Sequence, residues 1–265
     1  MTVTFKRRDL LKGAASAAGA ALGLPLASNG MADSQAQAGS GPGKLRVVVA
    51  GAHPDDPESG CGGTMARYAD LGHEVFSLYL TRGEAGITGK SHDEAAQIRT
   101  REAEAACKIL GAQPVFAGQI DGSSEVTNRR YDDFRKVLEP LAPDIVFTHW
   151  PIDTHRDHRT ASLLVFDAWL KSRKQFALYY FEVLTGGQTS QFRPTHYVDI
   201  TATEPRKRAA CYAHASQHPD GFYGVHDKMN HFRGMECGCG LAEAFVRHVQ
   251  NHDVPLPDLS NVKPL

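Results

Sequence analysis

The 265-residue sequence predicts a single α/β domain built on a mostly parallel β-sheet with helices on both faces. Short apolar runs rich in β-branched residues, such as LRVVVA at residues 45–50, alternate with longer segments whose apolar residues recur at helical spacing. Strands separated by helices are joined by right-handed crossovers and therefore lie parallel. With 42% hydrophobic and 22% charged residues, the chain can bury one sizeable core.

The predicted elements follow one another in this alternating order. The first strand is followed by a glycine-rich turn at Gly60, Gly62 and Gly63. The clearest helix has Ala95 and Ala105 near helical spacing and Gly111 as its end signal. Strands are predicted at 45–50, 75–80, 115–117, 144–148, 177–183 and 196–200, and helices at 64–71, 92–110, 131–141, 159–170, 204–216 and 241–249.

The first 38 residues are predicted to be an export signal rather than part of the fold. A charged segment, KRRDLLK at residues 6–12, precedes a mildly apolar stretch at 13–27 that is too short to span a bilayer. Small residues at 36–38, or the segment 24–27, offer a cleavage site. The paired arginines are typical of a twin-arginine signal. Residues 39–43 (GSGPG) form a linker and residues 44–265 the domain. We therefore expect an exported, periplasmic or secreted protein that has no membrane contact in its mature form.

Charge and cysteine content exclude several classes of protein. The net charge is −1 and no long basic run occurs, which argues against nucleic-acid binding. The five cysteines are an odd number, and Cys237-Gly238-Cys239 lacks the spacing and the second pair of a zinc ribbon. We expect these cysteines to be small buried or turn residues. The oligomeric state stays open.

Two polar clusters follow two of the predicted buried strands. His53, Asp55 and Asp56 come after the strand at 45–50, and the segment HWPIDTHRDH at 149–158 follows the strand at 144–148. In an open parallel sheet, ligands bind at the carboxyl ends of the strands. The two clusters can therefore meet at one edge and build a metal site.

A hydrolytic metal site needs three nitrogen or oxygen ligands, an open position for water and a base. His53 and Asp56 are close enough in sequence to share an ion, and His158 can supply the third bond. Asp55 points differently from Asp56 and is free to act as the base. His155 would face the same way as His158 at a helix start, and Asp157 could hold its ring in the imidazolium form.

The same residues carry a resemblance to a known family. AHPDDPESGCGGT, residues 52–64, resembles the signature of the LmbE-like (PIG-L type) zinc-dependent N-deacetylases. The second signature of that family, HPDH, appears as HRDH at 155–158, with arginine in place of proline. Further similarity lies at 80–86, near Arg101, at 207–217 and at 233–245.

The resemblance implies a Rossmann-like fold and hydrolysis of an N-acyl group, usually acetyl, from an amino sugar or its conjugate. It implies one zinc ion per chain on His53, Asp56 and His158, although another divalent ion would suit the same ligands. It also makes Asp55 the general base and His155 the electrophile and acid, oriented by Asp157. Both assignments agree with those made from the residues alone.

Four further residues are candidates for substrate contacts. Arg82 and Glu84 follow the second strand, Asp121 is expected at the same rim, and His214 lies in the segment 207–217. Three other functions stay open on the sequence alone. They are an exported metal-dependent esterase or amidase with another substrate, a non-catalytic sugar- or metal-binding protein of the same fold, and a nucleotide binder. HPDD in place of G-x-G-x-x-G after the first strand argues against the nucleotide binder.

Overall fold

Seven strands and six α-helices lie along residues 43–250, the part of the chain that this computed structural model describes. The predicted export signal and residues 39–42 of the linker lie outside the described residues. The strands are β1 (Arg46–Gly51), β2 (Glu74–Tyr79), β3 (Gln113–Phe116), β4 (Ile145–His149), β5 (Ala177–Phe181), β6 (His196–Asp199) and β7 (Ala242–Arg247). The helices are α1 (Asp56–Asp70), α2 (His92–Leu110), α3 (Asn128–Leu138), α4 (Arg156–Lys171), α5 (Glu204–Ala213) and α6 (Tyr223–Cys237).

All seven strands belong to one sheet in the order β3-β2-β1-β4-β5-β7-β6. β1 to β5 pair in parallel, and only β7 runs antiparallel to its neighbours β5 and β6. The predicted mostly parallel sheet is therefore confirmed. The strand order reverses between β1 and β4, and this is the place where an open α/β sheet forms a crevice at its carboxyl edge.

Helices cover both faces of the sheet, as predicted. Because side chains alternate along a strand, Val47 and Val49 of β1 face one core and Val48 and Ala50 face the other. Side chains of α1, α2 and α5 fill the first core, and those of α3 and α4 fill the second. Both cores are apolar and closed to solvent, so burial of apolar surface stabilises each helix layer. Within residues 43–250 no helix combines the length and the apolar character needed to cross a lipid bilayer.

Two predictions about local structure are wrong. The glycine-rich segment is not a turn, because α1 begins at Asp56 and runs through Gly60, Gly62 and Gly63. These glycines let the helix approach the sheet and α5 closely, since a methyl group at Gly63 would lie 2.6 Å from two carbons of Ile200. The predicted helix at 241–249 is strand β7, and helix α6 was not predicted. Short apolar runs do not distinguish a buried strand from a helix by periodicity.

We predict that Gly63→Ala destabilises the protein although alanine favours helices. The new methyl group would overlap Ile200, so the free energy of unfolding should fall by about 1–3 kcal/mol. Gly224→Ala on α6 is the matched control, because nothing lies within 4 Å of a methyl group there. The control should be neutral or should stabilise by up to about 1 kcal/mol. Chemical denaturation measures both, and an equal effect of the two substitutions would contradict the packing argument.

Candidate metal centre

The two sequence clusters meet at the carboxyl edge of the sheet where the strand order reverses. The loop after β1 carries His53 and ends at Asp56, the first residue of α1. The backbone N–H of His53 donates to the Asp56 carboxylate over 2.7 Å, which closes this loop. β4 ends in His149, and α4 begins beside His155, which is its N-cap residue.

The Asp56 carboxylate lies at the centre of the cluster. Its Oδ2 atom is 3.2 Å from Nδ1 of His53 and 3.3 Å from Nε2 of His149, and its Oδ1 atom is 3.3 Å from Nε2 of His158. Burial alone would raise the pKa of Asp56, but His158 and His149 outweigh it and hold that pKa well below its usual range. For His158, burial acts to lower the pKa. The contacts with Asp56 and Asp153 outweigh burial and raise the pKa of His158 to about 9.

A second layer of carboxylates holds the histidine rings from behind. Nε2 of His53 lies 3.1 Å from Asp121 and 3.2 Å from Asp157. Nδ1 of His158 lies 3.2 Å from Asp153, on the side of the ring away from Asp56. Such carboxylate–histidine pairs fix the ring orientation and raise the basicity of the nitrogen that faces inward, which is a common arrangement around protein-bound metals.

The cluster offers several sets of donor atoms that could hold a metal ion. Three overlapping groups have ligand atoms within 4.8 Å of one another, namely His53–His155–His158, Asp56–His149–His158 and His53–Asp121–Asp157. Tetrahedral zinc with bonds of about 2.0–2.1 Å separates neighbouring ligand atoms by about 3.3 Å. The contacts of Asp56 with His53 and with His158 have this spacing. None of these groups of described residues contains all of His53, Asp56 and His158, and the assignment of that trio stays a prediction.

Asp55 stands beside the cluster and is held by a different partner. Its Oδ2 atom is 3.0 Å from Nη2 of Arg99, a buried side chain of α2 that also donates to the carbonyl of Pro54. Arg99 also packs against Gly83 and Gly86 in the loop after β2, where an added methyl group would lie 2.3 Å and 2.4 Å from its Nη1 atom. Burial raises the pKa of Asp55 to about 6, although the charge of Arg99 acts in the opposite direction. A carboxylate with such a pKa can accept a proton near neutral pH.

A cavity of about 460 Å³ opens in front of these groups. Its lining includes Asp55, His155 and His158, together with residues from the segment after β5 and from the start of α6. This volume lies within the range of about 300–1,000 Å³ that is usual for small-molecule sites.

Comparison with known proteins identifies the family. The family model described as PIG-L, GlcNAc-PI de-N-acetylase, matches residues 48–169. The diacetylchitobiose deacetylase of Thermococcus kodakarensis is 30% identical to this chain over 192 residues, which cover 66% of this chain and 71% of that protein. The chain belongs to the PIG-L family.

Two solved structures agree with membership of the PIG-L (LmbE-like) family. The conserved protein TT1542 from Thermus thermophilus is 31% identical, with a TM-score of 0.69 over 80% of this chain and 98% of that one. The N,N'-diacetylchitobiose deacetylase from Pyrococcus horikoshii is 25% identical, with a TM-score of 0.67 over 77% of this chain and 84% of that one. The PIG-L family is a family of deacetylases, and the Rossmann-like fold predicted from the resemblance is confirmed.

The four predicted substrate residues lie in different surroundings. Asp121 lines the cavity and contacts His53. Arg82 is exposed, and its guanidinium lies 5.5 Å from the centre of the Phe116 ring, so the structure places it outside the described lining of the cavity. Glu84 is buried and accepts from the backbone N–H of Asp121 at 3.1 Å, which makes it a support for that loop.

His214, the fourth predicted substrate residue, is fully buried behind the cavity. Its Nε2 atom lies 3.5 Å from the Glu58 carboxylate, which in turn accepts from the backbone N–H of Asp55 at 3.1 Å and from the Tyr79 hydroxyl. His214 is not among the described residues that line the cavity. The structure therefore places it where it can act on the conformation and charge of Asp55, and not where it would touch a substrate.

Asp157 also has a different partner from the predicted one. Its carboxylate contacts His53 and accepts from the backbone N–H of Gly122 at 2.7 Å and the Ser124 hydroxyl at 2.5 Å. It meets His155 only through its own backbone N–H, which donates to Nδ1 at 3.3 Å. Burial, and then His53 and His158, lower the pKa of His155, so this arrangement does not favour the predicted imidazolium form.

Four residues of the site were not predicted. His149 and Asp153 lay within the quoted segment 149–158, and their positions after a strand end could have indicated a role. Arg99 belongs to α2, the helix that resembles the family near Arg101. His226 lines the cavity from α6, the helix that was not predicted.

We predict that Asp55 titrates near pH 6 in protein dialysed against a chelator, and that Arg99→Met raises its pKa further. Removal of the guanidinium takes away the charge that lowers the pKa of Asp55. Carboxyl carbon NMR titration measures both values. Arg101→Met, an exposed position on the same helix, should leave the Asp55 titration unchanged. An Asp55 that titrates near its ordinary value of 3.8 would contradict the argument from burial.

Proposed function

We propose that this protein is a metal-dependent hydrolase that removes an N-acyl group, usually acetyl, from an amino sugar or its conjugate. The observation that carries the proposal is the position of Asp55, which lines the same cavity as His53, Asp56 and His158. A hydrolytic site needs a cation site and a separate base side by side. The relatives named as diacetylchitobiose deacetylases support the choice of substrate class.

We infer that one zinc ion, or a similar divalent ion, is held by His53, Asp56 and His158. The spacing of the donor atoms and the second layer of carboxylates support this inference. When bound there, such an ion would supply Lewis acidity, lowering the pKa of a water molecule toward about 7 and polarising an acyl oxygen.

The residues of the chain would then divide the proton transfers of amide hydrolysis. Asp55 takes a proton from the attacking water, because it is a carboxylate at neutral pH with a pKa of about 6. His155 lies across the cavity edge from His53, with ring centres 4.7 Å apart, where it can hydrogen-bond the acyl oxygen. The C–N bond breaks as the amine nitrogen accepts the proton that Asp55 took from the water, and a carboxylic acid and a free amino sugar leave.

The decisive experiment measures release of free amine and acetate from a panel of N-acetylated sugars, with and without a chelator. Asp55→Asn should retain the metal and lose activity by about 10²–10⁴-fold. Asparagine suits the test because it tolerates the positive φ of 116° at this position. His158→Ala should lose both the metal and the activity.

His231→Ala is the matched control, because His231 is an exposed histidine on α6. It should keep both the metal content and the rate of the unchanged protein. A chelator-resistant activity, or an Asp55→Asn protein that turns over normally, would rule out the proposed mechanism. Hydrolysis of acetate esters with no action on any amide would instead favour the esterase alternative.

We also propose that the chain is exported through its first 38 residues. The support is the sequence order of a charged segment with Arg7 and Arg8, a mildly apolar stretch and small residues at 36–38. Residues 1–38 fused to a reporter that works only after export should give reporter activity. Changing both Arg7 and Arg8 to lysine should abolish it. A reporter that stays inside the cell with the unchanged sequence would contradict this proposal.

A further inference from the structure

One part of the cavity lining has a different chemical character; it consists of Val183, Leu184, Phe222 and His226 and is called the apolar wall. Val183 and Leu184 from the segment after β5 contribute apolar surface, and Phe222 extends that surface just before α6. Next to Phe222 lies His226, in the first turn of α6. The catalytic mechanism proposed above does not use this wall.

His226 is buried, and its imidazole forms no hydrogen bond within residues 43–250. Its side chain and backbone together are only 2% exposed. Its one ring contact is with Phe222, edge-on at 6.0 Å between ring centres, and no residue between 43 and 250 forms a hydrogen bond with the imidazole. Buried polar groups in folded proteins nearly always have a partner. A buried imidazole on a cavity wall is therefore suited to a partner that enters the cavity.

The surroundings of His226 keep its ring uncharged. Burial, together with the charge of Lys207, lowers its pKa to about 3. Lys207 is itself buried and is held 2.6 Å from Glu243 and 3.3 Å from Asn230. A neutral imidazole offers one N–H donor and one nitrogen acceptor. A hydroxyl group matches either nitrogen, whereas a phosphate or carboxylate group would gain no ion pair.

We propose that His226 binds a hydroxyl group of the amino-sugar substrate, with Phe222 packed against the sugar, so that this wall selects neutral, hydroxylated substrates. The inference rests on the proposed deacetylase function and adds a specificity-determining residue to it. The apolar surface and the single polar group on this wall match a sugar ring, which has apolar faces and hydroxyl groups at its edge.

The test combines protein variants with substrate analogues. The unchanged protein and His226→Phe are assayed on the best N-acetylated sugar of the panel and on analogues that each lack one hydroxyl group. His226→Phe should lower kcat/KM about tenfold on the complete sugar, mainly through KM, because the lost hydrogen bond forms before the reaction. For one analogue, the unchanged protein should show the same tenfold loss, and the substitution should then have less than about a twofold further effect.

Three other variants complete the design. His226→Leu removes the hydrogen bond with a smaller side chain and should give the same pattern if the phenylalanine variant does not fold. His226→Asn restores a donor and an acceptor and should recover part of the loss on the complete sugar. His231→Phe, on the exposed side of the same helix, should match the unchanged protein on every substrate. Thermal unfolding of each variant confirms that it is folded.

Two outcomes would overturn the inference while the deacetylase function stands. The His226 variants could lose the same factor on every analogue, which would show that no particular hydroxyl group is bound. They could also lose nothing on any substrate. Calorimetric binding of the same sugars to Asp55→Asn protein repeats the comparison without turnover. If the unchanged protein releases no amine from any sugar, while sugar binding to the Asp55→Asn protein depends on His226, the proposed function alone is overturned. Absence of any binding would overturn this inference as well.

Discussion

The buried carboxylate of Asp56, surrounded by three imidazoles, is the interaction on which the architecture of the site depends. A buried charge is tolerated only when it is paired and hydrogen-bonded. Its partners His53, His149 and His158 come from two segments about a hundred residues apart, so they can meet only if β1 and β4 are neighbours and end at the same level. The site can therefore form only if these two central strands pair in parallel.

The position of α1 is fixed from the opposite side by a second buried polar group. Glu243 of β7 accepts from the backbone N–H groups of Gly63 and Thr64 and pairs with Lys207 of α5. Both charged side chains are nearly inaccessible to solvent. A charge pair of this kind contributes more to a unique arrangement than to net stability. Because α1 begins at Asp56, holding its middle against β7 and α5 also holds the carboxylates at its start.

The sequence predicts site residues well where polar side chains directly follow a predicted strand. His53, Asp56 and His158 could be brought to one edge because a parallel sheet aligns the ends of its strands, whatever the intervening segments do. The partner of Asp157 could not be predicted in the same way. Residues two positions apart at a helix start face different directions, so its carboxylate turns from His155 toward His53 and the loop at Gly122. That contact depends on the path of a long loop, and no local sequence pattern predicts that path.

The wrong helix prediction at 241–249 and the failure to predict α6 both occur where the apolar residues depart from the usual pattern of a strand or a helix. β7 is buried between β5 and β6, so its apolar residues show neither clear alternation nor a helical stripe. α6 is the reverse case, a helix with exposed Phe232 and Met235 and buried polar residues such as Asn230. Pattern reasoning assumes that apolar residues face the core, and α6 departs from that pattern because its inner face carries polar groups toward the cavity and the buried Lys207.

Two parts of the cavity lining, the cluster around His53 and His158 and the apolar wall with His226, differ in the charge that they favour, and this difference follows from which groups are buried beside them. In the cluster, the carboxylates around His53 and His158 raise the pKa of both imidazoles above the ordinary value, so the cluster favours positive charge at those nitrogens. A cation that binds the same nitrogens displaces protons and satisfies the same field. On the apolar wall, Lys207 and burial keep the imidazole of His226 uncharged. The groups around His53 and His158 thus favour a bound cation. The groups around His226 favour a neutral hydrogen-bonding partner in the same cavity.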